Sequence, residues 1–419
     1  MNMVASLFRW PDPLASARSL GYPFFLYVNG LLLGNQSMMV HLQTAMHVLA
    51  ILLFHHALRS FGFSRWQSFF AALPLFWLNR FDNRIMTESL SHSWGLITIS
   101  SFLLLNRPGV RHTYGWWILL IVAMMLTYHI KPANLPYILT IPVMAIFLHL
   151  YRTIGLYGAP DWRGTIKTFA LHLGATGIPF LLYGLLRWKV VGHFGLVAYL
   201  GFNLLGFSAA MVKPDMVPLL STEVQPLALA IIERSKTVAL EEPVVEYVLG
   251  YQMINSFNNF NTYVWRIGAP AANSLFTLEE ARSPLHSIRV DRLFTSFSFQ
   301  VIRLQFKEYL RWVVSGFYFS LLLTISLFQL DVWAILFFAI LLLSKLVALL
   351  RPGQPQNLPT KNHHPVTILA TLTLLLYFPL ILLCALVESP LERYVYNAAL
   401  LLPSLLSLTI WQLIADMRR

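Results

Sequence analysis

Residues 366–387 read VTILATLTLLLYFPLILLCALV, from Val366 to Val387, without one charged side chain. An α-helix rises 1.5 Å per residue, so about 20 residues of this kind span a hydrocarbon core of about 30 Å. Measured along the rest of the chain, the same ruler finds about ten apolar runs. They lie at 38–58, 66–80, 88–106, 115–130, 133–151, 166–187, 309–328, 331–350, 366–387 and 395–414. Pro74, Pro136 and Pro142 interrupt some of them, which membrane helices tolerate when neighbours satisfy the freed carbonyl.

Composition agrees with that reading. The 419 residues are 57% hydrophobic and only 11% charged, whereas a soluble domain carries about 25% charged residues. The net charge of +12 does not mark a nucleic-acid binder. Lys and Arg stand singly at the ends of apolar runs, as membrane anchors do, rather than in a patch interleaved with aromatics. The single cysteine, Cys384, lies inside an apolar run and excludes an intrachain disulfide framework.

The expected architecture is therefore all-α: a polytopic transmembrane helical bundle of about ten spans. Residues 1–37 read as an interfacial segment, because Gly21 to Val28 is apolar but too short to cross. Residues 38–187 form a first bundle and 309–419 a second. Between them, 188–308 holds more than half of the acids, among them Asp215, Glu233, Glu280 and Asp291, and the polar run Asn255 to Asn261. A structureless loop of that length is rare, so a mainly helical extracytoplasmic domain is expected there. Within it, Val190 to Met211 is apolar and Gly-rich and reads as a re-entrant or partly inserted segment. Arg59 and Arg65, Arg107 and Arg111, and Arg152, Arg163 and Lys167 mark turns on the inner side. The turns at Phe81–Glu88 and Lys131, and the acid-rich domain, then face outward.

Charges at membrane helix ends are expensive and call for a reason. The densest outer group is Arg80-Phe81-Asp82-Asn83-Arg84-Ile85-Met86-Thr87-Glu88-Ser89. Asp82 and Glu88 flank a helix start, where the dipole stabilises an anion suited to act as general base or metal ligand. An ordinary capped helix hairpin explains the same residues. Lys131, Arg187 and Lys189 can neutralise a phosphate at headgroup level, or simply snorkel. Glu388 to Tyr394 joins the last two apolar runs and includes Arg393, which can meet an anionic headgroup or sit in a surface turn. Thirteen histidines offer no metal spacing: His55-His56 and His363-His364 are adjacent, and His41 and His47 lie too far out of register. No cofactor motif occurs, and a divalent metal ion at the carboxylates stays open.

The order of these features resembles the GT-C superfamily of polytopic glycosyltransferases. Gly21-Tyr22-Pro23, Gln43, Pro74, Thr87-Glu88-Ser89, Lys131-Pro132, Gly195 to Leu204, Lys307 to Trp312 and Glu392-Arg393-Tyr394 carry the likeness. It points to the bacterial members that look like dolichyl-phosphate-mannose-protein mannosyltransferases and the aminoarabinose transferase. The resemblance implies a polyprenyl-phosphate-linked sugar donor and inverting transfer on the outer face of a bacterial inner membrane. The acceptor would be a lipid, a glycan or a protein. Asp82 and Glu88 would be the carboxylates, with Arg84, Lys131 and Arg393 near phosphate. In the family a first helix and an acidic outer loop precede the Gly-Tyr-Pro stretch. Either such a span lies upstream in frame, or the usual base is lost. A flippase for lipid-linked glycans, or an inactive scaffold of the same fold, is the rival reading. Transporters usually carry internal repeats, and none is visible here.

Overall fold

The computed structural model describes residues 12–16, 19–33, 36–77, 87–107, 114–157, 159–240, 244–248, 251–255, 259–330, 332–334, 336–337, 339–340, 364–388 and 391–417. After α1 (Asp12–Ala15) and α2 (Gly21–Leu33), helix α3 (Gln36–Ser60) shows how membrane packing is written locally. Its buried residues, Met39, Gln43, His47, Ala50, Ile51, Phe54, Ala57 and Leu58, recur at three- and four-residue steps. Leu49 and Leu52 lie exposed on the other side. That apolar exterior suits lipid, so the buried polar residues mark the inside.

Helix α3 ends at a turn in which Gly62 takes φ +106°, a left-handed conformation that costs glycine little. A capping box opens α4 (Arg65–Trp77). Gln67 N–H donates to Ser64 Oγ at 3.2 Å, and Ser64 N–H donates to Gln67 Oε1 at 2.8 Å. Helix α5 (Thr87–Leu105) is buried along most of its length and packs against α3 and α6 (Tyr114–Ile130). Its serines make this possible: they are small, and Ser93, Ser100 and Ser101 satisfy their hydroxyls on their own helix's carbonyls at 3.0, 2.6 and 2.7 Å.

Pro132 cannot continue α6, and a 3₁₀ turn, Pro132–Asn134, leads to α7 (Tyr137–Tyr157) and α8 (Trp162–Val191). After α9 (Leu200–Met211) and α10 (Gln225–Ser235), β1 (Val244–Val248) pairs antiparallel with β2 (Tyr251–Asn255). The short helices α11 (Ala269–Asn273) and α12 (Leu278–Arg282) precede α13 (His286–Leu304), α14 (Phe306–Leu327) and α15 (His364–Val387). The chain closes with α16 (Glu392–Ala398) and α17 (Leu402–Met417).

Among the described residues, five helical segments are long and apolar enough to cross a membrane: Met38–Ser60, Pro132–Ile154, Trp162–Val191, Phe306–Leu327 and Pro365–Val387. The chain is thus a mainly helical membrane protein. The expected runs near 66–80, 88–106 and 115–130 correspond to α4, α5 and α6, which fall outside those five by length or polarity. The expected run at 395–414 is two helices rather than one. Pro403 sits in the first turn of α17, where it lacks the N–H needed to continue a helix from α16. Most of 331–350 lies outside the described residues.

The chain divides into two compact units: 1–27 with 181–321 and 381–391, and 28–180 with 322–380 and 392–419. In the first, Phe202, Phe207, Phe260, Phe294, Phe297 and Trp312 centre one apolar core. Here α9 and α13 run parallel at very close range. Gly201 N–H donates to Asp291 Oδ1 at 2.8 Å, and the Ser208 and Ser298 hydroxyls meet at 2.8 Å. A Cβ on Gly201 would lie 2.2 Å from the Asp291 carbonyl oxygen, so only glycine fits that crossing. In the second unit α3, α5 and α6 pack together and α17 packs on α4, with Phe70 stacked on Trp411.

Candidate functional site

Three helix ends of the second unit converge on one polar cluster. Glu88 lies in the first turn of α5, where the helix dipole favours an anion. Lys131 follows the last residue of α6, where the dipole favours a cation, and the Pro132 break holds it extended at φ −140°, ψ 103°. Arg393 and Tyr394 lie in the first turn of α16. Lys131 Nζ stands 3.4 Å from Glu88 Oε1 and donates to the Arg393 carbonyl at 3.2 Å. Thr87 Oγ1 donates to Glu88 Oε2 at 2.9 Å. The Tyr394 ring receives two cations, Lys131 Nζ and the Arg393 guanidinium, each 5.0 Å from its centroid.

Glu88 and Lys131 are only 3% and 6% exposed, whereas Arg393 lies exposed. The cluster therefore offers a buried anion–cation pair with an exposed guanidinium at its rim. A phosphate meeting that rim would find Arg393 first and Lys131 behind it.

A ring of buried amides and a hydroxyl sits under the ion pair. Asn134 Nδ2 donates to Ser91 Oγ at 2.9 Å, Ser91 Oγ donates to Asn397 Oδ1 at 2.8 Å, and Asn397 Nδ2 closes the ring on Asn134 Oδ1. Asn134 also donates to the Thr127 carbonyl at 3.1 Å. Each member lies on one of the elements that supply Glu88, Lys131 and Arg393. Because a buried polar group without a partner costs free energy, the ring ties those elements in one register. His92 and Tyr396, sequence neighbours of Ser91 and Asn397, line with His47 a cavity of about 20 Å³, room for about one water.

The structure thus brings together Glu88, Lys131 and Arg393, three of the five residues that the resemblance points to. Asp82 and Arg84 lie outside the described residues. Arg187 is corrected: it is fully buried and donates to the carbonyls of Leu14, Gly195 and Ser16 at 2.8, 3.1 and 2.8 Å. Its guanidinium is a structural anchor, not a phosphate ligand. Lys189 is exposed on α8. Ser91, Asn134 and Asn397 escaped the reading from sequence. Their signal was an uncharged polar side chain inside an apolar run, which is common enough to go unremarked.

One oxygen of Glu88 faces an ammonium and the other a hydroxyl donor, and no group of three His, Cys, Asp or Glu side chains gathers among the described residues. Compared with known family models, curated proteins and solved structures, the chain matches none.

Proposed function

We propose that this chain is a multi-pass membrane glycosyltransferase of the GT-C kind, with about ten spans in a bacterial inner membrane. It would move a sugar from a polyprenyl-phosphate donor to a lipid, glycan or protein acceptor on the outer face. One observation carries the reading: a carboxylate and two cations, far apart in sequence, meet at a single set of helix ends, Glu88 with Lys131 and Arg393.

In this reading the donor phosphate binds at the exposed Arg393 and draws Lys131 away from Glu88. The carboxylate so released accepts the proton of the acceptor hydroxyl. The acceptor oxygen attacks the anomeric carbon opposite the phosphate and forms the new glycosidic bond. The carbon–oxygen bond to phosphate breaks, and its electron pair leaves with the polyprenyl phosphate. Lys131 and Arg393 stabilise that leaving anion.

Transfer from a radiolabelled polyprenyl-phosphate sugar in isolated membranes tests it. Glu88→Gln keeps the side chain's size and should lower turnover by about 10²–10⁴-fold, the usual worth of a general base. Unchanged turnover refutes the catalytic role. Lys131→Ala should weaken polyprenyl-phosphate binding, and unchanged affinity returns Lys131 to a purely structural part.

A second reading is favoured by the depth of burial: the Glu88–Lys131 pair as a clasp in a non-catalytic scaffold. It predicts that Glu88→Gln lowers stability while no sugar transfer occurs even in the unaltered chain.

A further inference from the structure

Helix α13 touches the ends of membrane-length helices at two separated points. Near its start, Ile288 shares a small apolar core with Val191, the last residue of α8. Beside it, Arg292 donates from Nη2 to the Gly192 carbonyl just beyond that helix. At its other end, only Gln305 separates Leu304 from Phe306, the first residue of the span Phe306–Leu327. The Tyr309 hydroxyl then donates at 2.7 Å to the Leu386 carbonyl, in the last turn of the span Pro365–Val387. From Ile288 to Leu304 the axis runs about 24 Å at 1.5 Å per residue. A helix that meets span ends at both extremities lies along the membrane boundary instead of rising from it.

The two faces of α13 differ. One buries Ile288, Asp291, Phe294, Ser298 and Val301 against the unit's interior. The other exposes Arg289, Arg292, Phe299 and Arg303, at steps of three, seven and four residues along one stripe. Phe299 is 54% exposed, and Leu304 and Phe306 at the junction are 41% and 61% exposed. Arg289 has an acidic neighbour, Glu280, at 3.7 Å. Arginines around an exposed aromatic ring, next to span ends, form the chemistry of a helix seated in headgroups.

We infer that α13 is an interfacial helix whose arginine–phenylalanine stripe binds anionic phospholipid headgroups. Phe299 dips below the phosphates while Arg292 and Arg303 pair with them. The inference rests on the packing of α13 and holds whether or not the chain transfers a sugar.

The test uses the full chain in lipid nanodiscs. Cys384→Ala removes the single cysteine, and Phe299→Cys then carries a nitroxide. In discs containing phosphatidylglycerol the label should be relaxed by oxygen and shielded from a water-soluble nickel chelate. A label open to the chelate overturns the inference. In discs of unaltered side-chain charge, spin-labelled phosphatidylglycerol should be preferred over phosphatidylcholine. Arg303→Gln should weaken that preference about fivefold and Arg292→Gln with Arg303→Gln about 25-fold, whereas Arg303→Lys should retain it. A preference unmoved by both glutamine variants also overturns the inference. Should the double variant fail to fold, the single variant and the label at 299 still decide.

Discussion

Replacing Lys131 with Met in the second unit tests the ion pair by measured energy. At 3.4 Å and an effective dielectric of about 20, the gross attraction is about 5 kcal/mol. Desolvation of two nearly buried charges offsets much of it, so the pair is worth far less than that net. Removing one partner is another matter. Lys131→Met leaves the Glu88 carboxylate buried without its cation, which costs about 3–5 kcal/mol. Glu88→Gln in the same background removes the stranded charge and should restore most of the loss. The coupling in the double-mutant cycle should therefore exceed about 1 kcal/mol, the ceiling for exposed pairs. Denaturant unfolding of the detergent-purified protein, followed by tryptophan fluorescence, measures all four corners of the cycle. Two single substitutions within about 0.5 kcal/mol of the unaltered chain, adding without coupling, would refute the reasoning. The charges would then be solvated, and neither clasp nor phosphate-gated base would stand.

Two further expectations concern the first unit. Burial pushes the Asp291 carboxyl up from 3.8 to about 6, against the pull of the Gly201 and Phe202 N–H groups and of Arg187 and Arg292. Between those values the unfolded chain has lost the proton that the native chain keeps. Stability should fall by on the order of 3 kcal/mol as pH rises from about 4 through about 6, and Asp291→Asn should flatten the profile. An unchanged pH profile in that variant counts against it. Gly201→Ala drives a Cβ to within 2.2 Å of the Asp291 carbonyl oxygen, so α9 and α13 must part, at about 1–3 kcal/mol or more. A melting temperature equal to that of the unaltered chain would show that the helices have slack the structure lacks.

Membrane character and helicity were legible from composition and from runs such as Val366 to Val387, because a backbone in lipid must satisfy its own hydrogen bonds. Local rules also located breaks. The gap between the expected runs 115–130 and 133–151 falls at Lys131-Pro132, where Pro132 ends α6. Charges near apolar helix ends are expensive, which singles out Glu88, Lys131 and Arg393 among other candidates.

Which of those charges meet was not written in any local stretch. Lys131 lies 43 residues from Glu88 and 262 from Arg393, and no spacing rule connects them. Packing of α5, α6 and α16 does so, held by the Ser91–Asn134–Asn397 ring. The same logic moved Arg187 from the phosphate side to the interior. A residue's cost in lipid depends on its own chemistry, but its partner depends on which distant backbone folds back against it. For Arg187 that backbone is Leu14, Ser16 and Gly195, and for Asp291 it is Gly201.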